Sequence, residues 1–216
     1  MNLSFPGFGV DERVSTDASQ WFSPPEIAWR MACLAGSPPQ GWRVLEPSAG
    51  SGNLVRAALD RFPGCTVDAF ELDSYYANVL RDRFAGDRVT VESSDFLESD
   101  HGDDDPYDLA IMNPPFEDGL DGRFLAEVMH RSLRVIALVR LAALAGQGRY
   151  EDVWSQVGDG KPWRMSGLYI FSGRPSFQAG RAIGDRENGG SAKADFCVVR
   201  LSRVPTGPHG TEVGWW

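Results

Sequence analysis

The chain has 216 residues, 42% of them hydrophobic and 24% charged. That suits one globular domain with a sizeable core and excludes a disordered or collagen-like chain. No apolar run reaches the length needed to span a bilayer, and the first residues lack the basic-then-apolar layout of a signal peptide, so the expectation is a cytoplasmic protein. The formal charge of −9 argues against a polyanion partner, but it is unevenly spread. Residues 1–120 carry 8 basic and 21 acidic side chains, net −13, whereas residues 121–216 carry 13 and 9, net +4. The second half is where a nucleic acid can dock.

Residues 1–19 are polar and turn-rich and read as a flexible arm. A helix is expected from Pro24 or Pro25 to Ala35, capped by Ser23, with Ile27, Ala28, Met31 and Leu34 at helical spacing. Strands and helices then alternate. Arg43–Glu46, Thr66–Glu71, Arg88–Val91, Tyr107–Met112 and Val135–Val139 read as strands. Between them, Asn53–Phe62, Tyr75–Phe84 and Asp121–Leu133 read as helices, and a further helix after Val139 breaks near Gly146–Gly148. Leu168–Phe171 and Phe196–Leu201 read as two late strands. The expected fold is therefore α/β: a mostly parallel sheet of seven strands with helices on both faces and an antiparallel hairpin at one edge. A single domain over 20–204 and a tail over 205–216 complete the expected organisation. Cys33, Cys65 and Cys197 show neither metal spacing nor a disulfide framework and read as reduced core residues; no metal site is expected.

Ligands of open α/β sheets sit at the carboxyl ends of the strands. The first of these strands ends in Glu46-Pro47-Ser48-Ala49-Gly50-Ser51-Gly52-Asn53. Two glycines let a ligand approach the backbone, and the helix start offers free N–H groups. The pattern departs from the G-x-G-x-x-G of a dinucleotide site and suits a zwitterion. Glu46 can face an ammonium while the turn faces a carboxylate. Glu71, at the end of the next strand, can accept both hydroxyls of a ribose. Asp95 and Phe96, after the third, can bond an adenine amino group and stack on its ring.

Ile111-Met112-Asn113-Pro114-Pro115-Phe116, ending the fourth strand, is the most specific signal. An exocyclic amine is a weak nucleophile because its lone pair is delocalised into the ring. The side-chain oxygen of Asn113 and the carbonyl of Pro114 can both accept from one NH2 group and favour a tetrahedral nitrogen. The prolines hold those oxygens in place, and Phe116 can stack on a base that has left its duplex.

At these residues the chain resembles the S-adenosylmethionine-dependent methyltransferases of class I, with their Rossmann-like fold. EPSAGSG is similar to their first motif, FELD to their second and SDF to their third. The resemblance implies that S-adenosylmethionine is the cofactor, with Gly50 and Gly52 against its methionine part, Glu71 on the ribose and Asp95 on the adenine. It extends the cofactor set to Pro47, Ser48, Asn53, Leu72, Phe96 and Asn113. Trp21-Phe22-Ser23-Pro24-Pro25 resembles a motif preceding the first strand, which implies that Phe22 and Ser23 close over the methionine end. NPPF resembles the [DNS]-PP-[YFW] motif of amino-methyltransferases acting on adenine, cytosine, guanine N2 or protein glutamine, with Pro115 and Phe116 against the target.

The motif order, together with VIALVRLAALAGQGRYEDVW, LYIFSGRPSF and DFCVVRL, resembles short adenine-N6 DNA methyltransferases of phages and prophages. The implied reaction is methylation of adenine N6 in DNA. Methylation of an RNA amine or a protein glutamine, and a non-catalytic cofactor-binding subunit, are the competing readings. Fewer than 80 residues follow the fifth strand, too few for a large recognition domain. Specificity would then come from loops, or from a partner subunit or second copy of the chain. Gly158–Arg164 and Ser172–Lys193 are the candidate loops, with Lys161 and Arg174 on phosphates and Trp154, Trp163 and Phe177 on bases.

Overall fold

A computed structural model describes residues 21–99, 105–179, 194–203 and 210–216. The expected arm over 1–19 and most of the Ser172–Lys193 loop lie outside these residues. The elements run β1 (Trp21–Phe22), α1 (Pro25–Cys33), β2 (Arg43–Glu46), α2 (Asn53–Arg61), β3 (Thr66–Phe70), α3 (Ser74–Arg83), β4 (Val89–Glu92) and β5 (Leu109–Met112). They continue with α4 (Leu120–Arg131), β6 (Arg134–Arg140), α5 (Gln147–Asp152), β7 (Arg164–Ile170), β8 (Gln178–Ala179), β9 (Phe196–Ser202) and β10 (Glu212–Trp215).

Eight strands form one sheet in the order β10-β7-β9-β6-β5-β2-β3-β4. Only β9 runs against its neighbours β6 and β7; every other pairing is parallel. The expected seven-stranded sheet thus gains an eighth strand, and the β7–β9 pair is not at the edge. Strand β9 inserts between β6 and β7, and β10, within the expected tail, takes the outer position.

The central strands are apolar without alternation because both faces are covered. In β5, Leu109 and Ile111 face a core that also holds Met31 of α1, Val55 of α2 and Leu80 of α3. Ala110 and Met112 face the opposite core, with Phe124, Leu125, Val128 and Met129 of α4. Edge strand β10 needs other support. Tyr169 of β7 donates its hydroxyl to Glu212 (2.8 Å), and Trp216 lies under the Arg30 guanidinium at 4.2 Å. Gly167 and Gly214 leave room for the Tyr169 ring: a Cβ would sit 2.7 and 3.1 Å from it.

Local chemistry explains the helix starts. Asp73 caps α3, its side chain accepting from the Tyr75 N–H at 2.9 Å. Helix α1 begins on Pro24 and Pro25 with no side-chain cap. The expected Ser23 cap is therefore corrected: the cap position falls on Pro24, Pro25 offers no N–H, and Ser23 is buried with its hydroxyl off the helix start. Cys65 and Cys197 are buried as expected, whereas Cys33 is exposed at the end of α1. Among the described residues no helix is long and apolar enough to cross a membrane.

Candidate active site

Segment 21–23, the turn after β2, the start of α2 and Asn113 after β5 line one cleft, and Glu71 at the end of β3 bonds the turn from behind it. The glycine turn after β2 is pinned to β3 by the Ala49 N–H on the Phe70 carbonyl (2.8 Å). Gly50 and Gly52 both have left-handed backbone, with φ of 51° and 80°. A Cβ at Gly50 would fall 2.5 Å from the Phe22 ring, and one at Gly52 would fall 2.6 and 2.7 Å from Leu80 and Phe84. The two glycines therefore differ in purpose. Gly50 opens a surface on which Phe22 rests, while Gly52 seats the turn against α3.

Glu46 is fully buried. Its Oε1 accepts from the Ser48 N–H at 3.1 Å, and its Oε2 has no partner. Burial pushes its pKa up to about 8, against the opposing pull of the Ser48 hydrogen bonds, and the nearby Glu71 charge adds to the rise. Glu71 follows β3 directly and is half-buried. It accepts from the N–H groups of Gly50 (2.7 Å) and Asp73 (2.8 Å), joining the turn to the start of α3. Burial raises its pKa as well, and those N–H groups hold the rise down. The Leu72 N–H also bonds this carboxylate; with about four lone-pair sites it keeps acceptor capacity for a ligand.

Asn113 follows β5. Its Nδ2 donates to the Trp21 carbonyl at 3.1 Å. That carbonyl can only accept, so the amide orientation is settled by chemistry and Oδ1 points the other way. Oδ1 is buried with no partner. Ser48 Oγ reaches the Asn113 backbone carbonyl at 3.2 Å, and Asn53 Nδ2 donates to the Ser23 carbonyl at 2.9 Å. Segment 21–23 is thus held by two asparagine amides, by β8 through the β1–β8 pairing, and by the Phe22–Tyr76 ring contact at 5.0 Å. Among the described residues, buried oxygens without partners gather here: Ser23 Oγ, Glu46 Oε2, Ser51 Oγ and Asn113 Oδ1. An unmatched buried acceptor costs about 1–3 kcal/mol, so such a cluster marks a site built for a ligand.

Of the remaining expected residues, Pro47 and Pro114 are buried and Pro115 and Phe116 are half-buried. Phe116 packs edge-on against Phe196 at 5.0 Å. Asp95, after β4, is half-buried and spends one oxygen on the Leu97 N–H (2.9 Å). Leu72 is 70% exposed beside Glu71. Phe96 corrects an expectation: it is 2% exposed, packed between Phe70 and Phe124 at 5.4 and 5.7 Å, and offers no face to an adenine. An apolar ring next to an acidic loop gains more from the core than from the surface. Trp163 and Phe177 are likewise core residues, and Trp154 donates its indole N–H to the Ala143 carbonyl at 2.8 Å. Arg174 pairs with Asp195 at 3.6 Å, and Lys161 is exposed in the turn before β7. Neither lines the cleft.

No protein-family model matches the chain. Over 76 residues it is 30% identical to the modification methylase CviBIII of Paramecium bursaria Chlorella virus NC1A, a stretch covering 35% of this chain and 19% of that protein. The chain thus aligns with about a fifth of that relative's length. Similar solved structures cover far more. A candidate class I S-adenosylmethionine-dependent methyltransferase of Listeria monocytogenes superposes with a TM-score of 0.66 at 13% identity, covering 90% of this chain and 65% of that one. The fold is that of the class I methyltransferases. A candidate RNA methyltransferase of Pyrococcus horikoshii matches with a TM-score of 0.65 at 21% identity, over 87% of this chain and 89% of that one. The methyltransferase subunit of a type I restriction-modification system from Streptococcus thermophilus matches with a TM-score of 0.66 at 14% identity, over 88% and 46%. Sequence reasoning missed a cluster near Phe116, where buried Asp121 meets Arg140 and Arg149; three residues spread over α4, β6 and α5 leave no local pattern to read.

Proposed function

We propose that the chain is an S-adenosylmethionine-dependent methyltransferase acting on an exocyclic amino nitrogen, adenine N6 in DNA. The observation that carries this is the pair of buried, unpartnered oxygens, Glu46 Oε2 and Asn113 Oδ1, at the ends of β2 and β5. The cofactor fits the residues present. Glu46 Oε2 faces its ammonium, the remaining acceptor capacity of Glu71 its ribose, and Asp95 its adenine amine, while the Gly50 N–H stays on Glu71. With Phe96 buried, the exposed Leu72 covers the adenine ring instead. Phe22 has to swing off Gly50 as the methionine part enters.

When bound, S-adenosylmethionine supplies a sulfonium methyl group whose C–S bond breaks as the new N–C bond forms. Asn113 Oδ1 and the Pro114 carbonyl accept the two hydrogens of the target amine and steer its lone pair toward that methyl. Phe116 supports the target ring, and the extra proton leaves to water. The likeness to a modification methylase and to a restriction-modification subunit supports DNA as the polymer.

The test is transfer from labelled S-adenosylmethionine to DNA, RNA and protein pools, followed by hydrolysis and analysis of the labelled product. N6-methyladenine from DNA is the expected product. Label confined to RNA would move the substrate to an RNA amine, and label confined to glutamine would move it to protein.

A further inference from the structure

Asp121, in the first turn of α4, is fully buried. Its Oδ1 accepts from the Gly122 N–H at 3.1 Å and from Arg149 Nη2 at 3.4 Å. Arg140, at the end of β6, reaches both carboxylate oxygens through Nε and Nη2, each contact at 3.3 Å. One guanidinium suffices to balance one buried carboxylate. A second brings like charge into the same pocket and leaves the cluster with a formal charge of +1. The arginine contacts are at the long end of the hydrogen-bond range, so neither arginine is tightly spent on Asp121. Among the described residues Arg149 Nε is buried with no acceptor, a donor left unmatched at a cost. Both arginines keep about 30% of their side-chain surface open to solvent. The Arg140 guanidinium also lies 6.0 Å from the centre of the Phe116 ring.

An oxyanion beside Asp121 would account for the second arginine. It would take the surplus charge through the solvent-open part of the two arginines and lie next to the ring that supports the target base. In a nucleotide the phosphate is tethered to its base through a single sugar, so a base held against Phe116 carries its phosphate into this neighbourhood. We infer that Arg140 and Arg149 form a clamp for a backbone phosphate flanking the target nucleotide, with Asp121 fixing the pair in place. The inference rests on the nucleic-acid reading proposed above, and it favours a polynucleotide over a protein glutamine, which has no phosphate to offer.

The experiment is fluorescence-anisotropy titration of an adenine-containing DNA duplex across a salt series, with the full chain and its Arg149→Gln and Arg149→Lys variants. Arg140 still pairs with Asp121 in both, so folding is retained, and thermal melting checks this. Losing one phosphate contact lowers the slope of log affinity against log salt by about 0.9. Arg149→Gln is expected to show that drop with weaker binding, and Arg149→Lys is expected to restore the slope. An unchanged slope in Arg149→Gln would reduce the arginine to a structural partner of Asp121 and overturn the clamp. Absence of duplex binding by the native chain would overturn it too. An Arg149-dependent slope in a chain that transfers no methyl group would keep the clamp and remove the methyltransferase reading instead.

Discussion

Replacing Asn113 with alanine is expected to lower methyl transfer by roughly 100- to 1,000-fold, the scale set by removing one preorganised polar group from a reacting centre. The side chain has two ends with separate tasks. Oδ1 is the buried acceptor aimed into the cleft, and its loss acts on the chemical step. Nδ2 holds the Trp21 carbonyl, and its loss loosens the segment over the cleft. One neutral hydrogen bond is worth about 1 kcal/mol, so cofactor affinity should weaken by less than about 10-fold. Single-turnover rates measured beside cofactor titrations separate the two. Equal loss of binding and rate would make Asn113 a structural residue.

Glu46→Gln is expected to make the free protein more stable while crippling cofactor binding. With its pKa raised from the ordinary 4.5 to about 8, folded Glu46 keeps its proton between those values while the unfolded chain has lost it. Ionisation therefore stabilises the unfolded state, and stability drains away as pH rises from about 4.5 to 8. Glutamine carries no such penalty. Its gain at pH 7 is up to about 3 kcal/mol, seen in denaturant unfolding. Binding runs the other way. An ammonium opposite Glu46 needs the carboxylate ionised, so cofactor affinity of the native chain should climb as pH rises from 6 toward 8, with proton release. The Glu46→Gln variant should bind at least about 10-fold more weakly and lose that climb. A variant that is destabilised yet binds normally would mean that Glu46 serves the fold alone.

The parts of the molecule legible in the sequence are those set by local pattern. Arg43–Glu46 forms a strand with the expected bounds because a short apolar run ends at a glycine turn. Asn53–Arg61 and Ser74–Arg83 fall within a residue of the expected helices, started by the turn and by the Asp73 cap. Parts set by distant partners were not legible. β1 and β8 are two residues each and exist only because they pair across more than 150 residues of chain. β10 reads Glu-Val-Gly-Trp, with a glycine where a strand prefers bulk, because Tyr169 fills that space from the neighbouring strand. In the site, the carboxylates and the asparagine announced themselves by standing at successive strand ends, where ligands of such sheets gather. The rings misled. A phenylalanine after a strand can face a ligand or the core, and for Phe96 the Phe70 and Phe124 rings decide for the core. Nor does the sequence reveal that Phe22 rests on Gly50, since a contact across that distance in the chain has no periodicity to betray it.

The most direct measurement is titration of the native chain with S-adenosylhomocysteine, followed by the structure of the complex. The account predicts binding in the cleft, with the amino group on Glu46 Oε2, the ribose on Glu71 and the Phe22 ring displaced from Gly50. Failure to bind, or a ligand seated away from Glu46 and Glu71, would contradict it.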